Sequence, residues 1–390
     1  MRNGGTHPLR IGVFTDSYRP YTSGVVRSIE TFRAELEARD ALFYIFAPWY
    51  KGCKPESRIY RFVSFPVPTN PGFRLALPFS LKIGSTIKEL KLDLVHVHSP
   101  FLLGGLGARW ARRLDLPLVF TYHTLYEEYV HYFPFLKTQT RQLTLRYTTA
   151  FCNRCDLVLA PTRVIGSYLL ETGVRARIRT LPTGIDLKSF QGGDRDGFRK
   201  RYGIGPDERV MVYVGRLAKE KNIGFLLKTL GLIVDRLPGT RLLLVGGGPQ
   251  REDLVKEAEE KNVGRNVVFT GPVAPDYVKD CYAAGDVFVI SSLTETQGLV
   301  VGEAKAAGLP AVAVRAKGLT EMVDEGVDGF LVPLDEKVFA ERVCRLFEDR
   351  ELYGRFRVNA LQKAEELSAP RAADTLLNYY QEAIKSKGVF

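Results

Sequence analysis

Two acidic residues, Glu295 and Glu303, stand with seven residues between them in the run Ser291-Ser292-Leu293-Thr294-Glu295-Thr296-Gln297-Gly298-Leu299-Val300-Val301-Gly302-Glu303. Carboxylates at the end of a parallel strand can accept hydrogen bonds from sugar hydroxyls. Taken alone, Glu303 reads equally as a solvated helix residue. The N–H groups around Gln297, Gly298 and Leu299, where a helix begins, would face a strand-end crevice in which phosphate is favoured. Upstream, Arg216 and Lys221 lie in Gly215-Arg216-Leu217-Ala218-Lys219-Glu220-Lys221-Asn222. Two cations leaving a strand can clamp a diphosphate and stabilise it as a leaving group. Taken singly, basic residues near a helix start are usually solvated, but the helix dipole disfavours them there, and that mild conflict with local preference favours a functional reading.

The Gly246-Gly247-Gly248-Pro249 turn lets backbone approach a neighbour closely. It is neither a G-x-G-x-x-G fingerprint nor a phosphate loop ending in Lys-Ser/Thr, so nicotinamide and ATP chemistry lack support. In the first half, Tyr122-His123-Thr124 follows a strand. His123 could hydrogen-bond a sugar hydroxyl or orient an acceptor, although a lone histidine is more often structural. His96 and His98 alternate along one strand, and without a third ligand they define no metal site. Asp194-Arg195-Asp196 resembles a metal-binding DxD but lies in a Gly-rich linker rather than at a strand end. Five cysteines, with a lone Cys152-x-x-Cys155, form no disulfide framework, and the pair reads as packing.

The elements that must hold these residues alternate. Strands are expected at Leu9–Phe14, Ala41–Ala47, Asp93–Val97, Pro117–Thr121 and Asp156–Ala160. A helix after Gly24 would carry Val25, Ile29, Phe32 and Leu36 on one face. The pattern restarts with strands Arg209–Val214, Thr240–Val245, Val267–Thr270, Asp286–Ile290, Pro310–Val314 and Gly329–Val332, and a helix over Asn222–Arg236. Alternating strands and helices imply α/β architecture with doubly wound parallel sheets, which bind ligands at the carboxyl ends of their strands. The expected domains are 1–185 and 186–370, with a linker about Pro182–Phe198. The helix after Pro370, within 371–390, is expected to pack back on the first domain.

Composition is that of a globular protein, with 45% hydrophobic and 25% charged residues over 390 positions, enough for two cores. No stretch approaches the roughly 18–20 apolar residues of a membrane span. Met1–Pro8 lacks the apolar segment of a secretory signal, so the expectation is a cytoplasmic protein without an integral anchor. The charge is uneven: residues 1–185 hold 25 Lys and Arg against 13 Asp and Glu, and the remainder 30 against 31. An excess confined to one half suggests an anionic partner there, or serves solubility alone. No nucleic-acid recognition motif accompanies it. Basic residues Lys82, Lys88, Lys91, Arg109, Arg112, Arg113, Lys137, Arg141 and Arg146 interleave with Phe73, Leu75, Leu77, Phe79, Leu81, Tyr126, Tyr129, Tyr132, Phe133 and Phe135. Such a surface suits docking on anionic lipid at the inner face of the cell membrane, unless those aromatics line a core.

Taken together and in order, these positions resemble the family-four retaining glycosyltransferases of the GT-B fold, in which two Rossmann-like domains face each other across a cleft. The resemblance covers nearly the whole chain. Glu295 and Glu303 match the family's Glu–seven–Glu motif, which implies Glu295 on the donor sugar and Glu303 on the nucleotide ribose. Arg216 and Lys221 match its diphosphate-binding pair. Gly215, Gly248-Pro249, Gly298, Gly308-Leu309-Pro310 and Pro182-Thr183-Gly184-Ile185-Asp186 match its backbone landmarks, and His123 matches its histidine beside the donor sugar. The family's N-terminal Gly-Gly, where backbone nears the donor, reads Ser23-Gly24 here. Thr15-Asp16-Ser17-Tyr18-Arg19-Pro20, Tyr122-His123-Thr124 and Thr294-Glu295-Thr296-Gln297-Gly298-Leu299 look like the bacterial diacylglycerol glucosyltransferases. The resemblance implies a nucleotide-sugar donor, UDP-glucose first, a lipid acceptor near Tyr126 and Tyr129, and no required cofactor or divalent metal. A soluble sugar or sugar-phosphate acceptor, or epimerisation of a nucleotide sugar, remains open.

Overall fold

The computed structural model describes residues 7–67, 70–128 and 137–388. The chain forms two compact units, Met1–Gly184 with Ala369–Phe390, and Ile185–Ser368.

The first unit contains strands β1 (Arg10–Phe14), β2 (Leu42–Pro48), β3 (Ile59–Phe62), β4 (Ser64–Val67), β5 (Asn70–Ala76), β6 (Leu94–Val97), β7 (Leu118–Thr121), β8 (Leu157–Ala160) and β9 (Ile178–Thr180). Seven of them make one sheet in the order β3-β2-β1-β6-β7-β8-β9, every pair parallel. Alternation along the strands sends side chains to opposite faces. Ile11, Val13, Ile45, Val119 and Leu159 enter one hydrophobic layer. Phe14, Phe46, Val95, Phe120 and Val158 enter the other. Burial on both faces is what a parallel sheet requires. β4 and β5 pair antiparallel as a separate hairpin.

Helix Gly24–Glu37 covers one face through Val26, Ile29, Phe32 and Leu36. Ile29, Phe32 and Leu36 lie on the expected face, and Val26 is buried beside them while Val25 is half-buried against the same layer. Ser23 caps this helix by accepting from the Val26 N–H at 3.3 Å, a contact worth about 1 kcal/mol. That gives the serine in place of the family's glycine a structural reason. The last helix, Ala369–Ser386, lies in the same layer, burying Ala373, Leu376, Tyr380 and Ala383. A fully buried Leu contributes about 1.5–3 kcal/mol. The helix begins two residues before the expected Arg371, because proline is tolerated in a first turn.

The second unit contains β10 (Arg209–Val214), β11 (Thr240–Val245), β12 (Val267–Gly271), β13 (Val287–Ile290), β14 (Ala311–Val314) and β15 (Gly329–Val332). They form one parallel sheet in the order β12-β11-β10-β13-β14-β15. Both sheets are therefore doubly wound. Each has a point where strand order reverses: between β1 and β6 in the first, and between β10 and β13 in the second. Such points are where open α/β sheets place ligands. Gly192-Gly193, expected in the linker, lies inside the second unit. A side chain at Gly193 would meet the Lys279 carbonyl oxygen at 2.4 Å.

Candidate active site

In the second unit, the segment after β10 and the segment after β13 run side by side at the reversal point. Hydroxyl-to-carbonyl bonds stitch them together. Ser291 Oγ donates to the carbonyls of Asn222 (2.9 Å) and Lys221 (3.2 Å), and Ser292 Oγ to that of Glu220 (3.2 Å). This clamp brings Lys221 Nζ onto Glu295 Oε1 as an ion pair. Burial alone would raise the Glu295 carboxyl. The Lys221 ammonium and the Ser292 hydroxyl outweigh burial and hold it below its ordinary range. Glu295 is thus a carboxylate at neutral pH.

Arg216 stands five residues before Lys221 in the same segment, half-buried, its carbonyl accepting from Tyr213 Oη at 3.1 Å. The glycine turn after β11 lies flush against this segment. Leu217 N donates to the Gly247 carbonyl at 2.8 Å, and a side chain at Gly248 would meet the Leu217 carbonyl oxygen at 2.2 Å. Gly248 is therefore required by close approach.

Gly298 opens helix Leu299–Ala306 with φ 90°, a left-handed conformation that favours glycine. Gln297 is buried and Leu299 half-buried beside it. The preceding loop is pinned from the turn after β14, since Gly318 N donates to the Glu295 carbonyl at 2.9 Å. Glu303, on the same helix, is fully buried. The solvated reading of Glu303 is therefore excluded. Its Oε2 accepts from Tyr282 Oη at 2.8 Å. The structure thus brings Arg216, Lys221, Gly248, Glu295, Gln297, Gly298, Leu299 and Glu303 into the turns and helix start around one sheet reversal.

The reversal point of the first unit holds a different set. Asp16, two residues after β1, is buried. It accepts from Ser99 Oγ at 2.6 Å and from Leu103 N at 2.9 Å, and burial raises its carboxyl. His98 Nδ1 lies 2.8 Å from His123 Nε2, and the two rings stack with centroids 5.1 Å apart. Behind them, His96 bonds Tyr380 Oη at 2.6 Å and Thr121 Oγ1 at 2.7 Å. Burial lowers all three imidazoles, His96 and His123 to about 3. His123 is therefore neutral, able to share hydrogen bonds but not to carry charge. The sequence reading has Asp16 only within the Thr15–Pro20 run and His98 only as half of a pair that defines no metal site; their place just after β1 and β6 is the signal that marks them.

Gly24 is the first residue of its capped helix. The Tyr126 ring packs edge-on to Phe101 at 5.1 Å and to Tyr122 at 5.7 Å. Tyr129 lies outside the described residues, as do Tyr132, Phe133 and Phe135. Leu75, Leu77, Phe79 and Leu81 are exposed, Phe79 by 72% and Leu81 by 90%, together with Val63 and Phe65. These side chains therefore form no core, whereas Tyr126 is half-buried against the core of the first unit. Among the described residues no helix is long and apolar enough to cross a membrane.

The two motifs set aside in the sequence have structural explanations. Asp194 caps helix Arg195–Arg201 through the Gly197 N–H, and Arg195 pairs with Asp286. Cys152 and Cys155 are free and buried, which pushes the Cys152 thiol up to about 12.

Comparison with known proteins follows the same division. Residues 22–189 match the family described as Glycosyltransferase Family 4, and residues 194–363 match Glycosyl transferases group 1. The chain is 32% identical to an alpha-monoglucosyldiacylglycerol synthase of Streptococcus pneumoniae, over 83% of this chain and 75% of that protein. It is 30% identical to the Acholeplasma laidlawii enzyme of the same name, over 90% and 92%. It is also 32% identical to a D-inositol 3-phosphate glycosyltransferase of Nocardia farcinica, over 75% and 67%. In fold it is similar to the sucrose-phosphate synthase of Thermosynechococcus elongatus, with TM-score 0.77 at 22% identity, covering 97% of this chain and 100% of that one. An Anabaena protein solved in complex with UDP-glucose superposes with TM-score 0.76 at 20% identity, covering 96% and 100%. With both halves matched and relatives at 30% identity or more aligned over most of their length, the chain belongs to the family-four, group-1 glycosyltransferases of the GT-B fold.

Proposed function

We propose that this glycosyltransferase is a retaining enzyme that moves a hexose from a nucleotide sugar, with UDP-glucose as the first candidate, to a lipid hydroxyl such as that of diacylglycerol at the inner membrane surface. The observation that carries the donor half is the Lys221–Glu295 pair held beside Gly298 and the Glu303 helix at the β10–β13 reversal. In this reading Arg216 and Lys221 hold the diphosphate, and the N–H groups about Gln297, Gly298 and Leu299 face it. Glu295 takes hydroxyls of the donor sugar, Glu303 takes the ribose, and backbone at Gly24 and Gly248 approaches the donor. As the bond from C1 to the diphosphate breaks, charge grows on the departing phosphate, and the two cations stabilise it without a divalent metal. The acceptor hydroxyl attacks the same face, its proton passing to the departing diphosphate, so the anomeric configuration is kept. Neutral His123 hydrogen-bonds a donor hydroxyl, and Tyr126 lies on the acceptor side.

The acceptor half is supported by the diacylglycerol glucosyl synthases among the relatives. It is also supported by exposed apolar side chains on a half with 25 cations against 13 anions. A soluble sugar-phosphate acceptor is the second reading, favoured by the inositol-phosphate relative. Nucleotide diphosphate release from UDP-glucose, UDP-galactose and GDP-mannose, measured without metal and with or without diacylglycerol in anionic liposomes, separates them. Release that requires the lipid is expected. Release only with inositol phosphate or another soluble acceptor would remove the lipid. An isomerised nucleotide sugar formed from donor alone would point to an epimerase.

A further inference from the structure

A carboxylate closed to solvent keeps its charge only with donors around it. For Glu303 one such donor is Tyr282, itself fully buried. Tyr282 lies on the short helix Val278–Ala284 that leads into β13. Its ring is fixed edge-on against Phe190, with centroids 5.8 Å apart, and tilted against Phe288 at 6.1 Å. With the ring immobilised, the hydroxyl has one place to be. That place is 2.8 Å from Glu303 Oε2 and 3.4 Å from the Val300 carbonyl, one turn earlier on the helix that carries Glu303. The one phenol hydrogen goes to the nearer acceptor, which ties the Glu303 carboxylate to helix Val278–Ala284.

We propose that Tyr282 is the positioning residue that fixes the Glu303 carboxylate for the ribose hydroxyls of the donor nucleotide, an inference that rests on the assignment of Glu303 to the ribose. An O–H on Oε2 limits rotation of the carboxyl group and directs its remaining lone pairs. Tyr282 touches no reacting atom. Its hydroxyl therefore acts on nucleotide affinity and leaves the chemical step alone.

The test is Tyr282→Phe in the full chain, which keeps the ring and removes one hydroxyl. UDP, 2′-deoxy-UDP and 3′-deoxy-UDP are titrated by calorimetry, and kcat and KM are measured with UDP-glucose. The expected result is a Kd for UDP raised about tenfold, with kcat at saturating donor within about twofold of the parent. With at least one deoxy analogue the two proteins should bind within about twofold of each other, because the hydroxyl that Tyr282 serves is gone. Equal UDP affinity in parent and variant would overturn the positioning role. So would the same loss for all three nucleotides, the signature of a packing defect. A parent that binds all three alike would overturn the ribose assignment of Glu303, and this inference with it. A parent that discriminates and a variant unchanged in affinity would overturn the positioning role alone.

Discussion

The two sheets share a doubly wound parallel order, yet each stocks its reversal point with a different kind of polar group. The second unit uses charge. Lys221 meets Glu295 at the strand ends, and deeper in the same unit Lys305 pairs with Asp328 with 0% and 1% of the side chains exposed. The first unit uses three imidazoles that burial keeps unprotonated, beside a buried Asp16 whose carboxyl burial raises. The contrast follows from what each unit is proposed to meet. A diphosphate and its growing negative charge are best answered by fixed cations. A hydroxyl acceptor is better served by groups that share hydrogen bonds without imposing a field.

Several substitutions can break this contrast. The largest expected effect lies in the buried pair of the second unit. Lys305→Met leaves Asp328 buried without its counter-ion and should cost about 3–5 kcal/mol in chemical denaturation. Lys305→Met with Asp328→Leu should recover much of that. A single variant as stable as the parent would deny the pair its role.

The next effect is acid lability confined to the first unit. His96 and His98 are both closed to solvent and both lowered by burial. The unfolded chain protonates these groups below about 6.5, whereas the folded unit resists. Stability is therefore complete above that pH and falls as pH drops toward the folded values, by about 1–2 kcal/mol per imidazole between pH 7 and 5. Hydrogen exchange at pH 5 should open β1, β6 and β7 before β10 and β13. The Lys221–Glu295 pair works in a lower window, since a lowered carboxyl keeps its contribution above the ordinary carboxylate range and loses it only below. Simultaneous opening of both sheets at pH 5 would contradict the assignment.

Arg216→Ala comes next. It should slow kcat about 10²–10³-fold, because the charge it answers develops in the transition state. Glu303→Ala should instead weaken nucleotide binding with the fold intact. Equal kinetic profiles for the two variants would erase the division of roles. The smallest effect is Ser23→Ala, which removes a helix cap and should cost about 1 kcal/mol. Ser23→Gly should cost only a few tenths.

Much of this was legible in the sequence because parallel strands buried on both faces are continuous apolar runs. Arg209–Val214, Thr240–Val245 and Gly329–Val332 have the expected bounds. Residues that follow such strands are marked by position alone, which is why Glu295 and His123 could be singled out. Edge elements were not legible. β3 and β9 flank the first sheet, and the β4–β5 hairpin has Pro66, Pro68 and Pro71 in or beside its strands, which weakens any strand signal. Partnerships were also hidden. Nothing in the spacing of Tyr282 and Glu303, or of His98 and His123, says that they touch, because the sheet order brings those segments together.

The most direct test of the donor assignment is backbone hydrogen exchange with and without UDP. The account predicts that UDP slows exchange at Gly215–Asn222 and Ser291–Glu303 more than anywhere in β11, β12 or β15, and that the effect is lost in Lys221→Ala. Unchanged exchange in both segments despite saturating UDP, or protection that persists undiminished in Lys221→Ala, would contradict it.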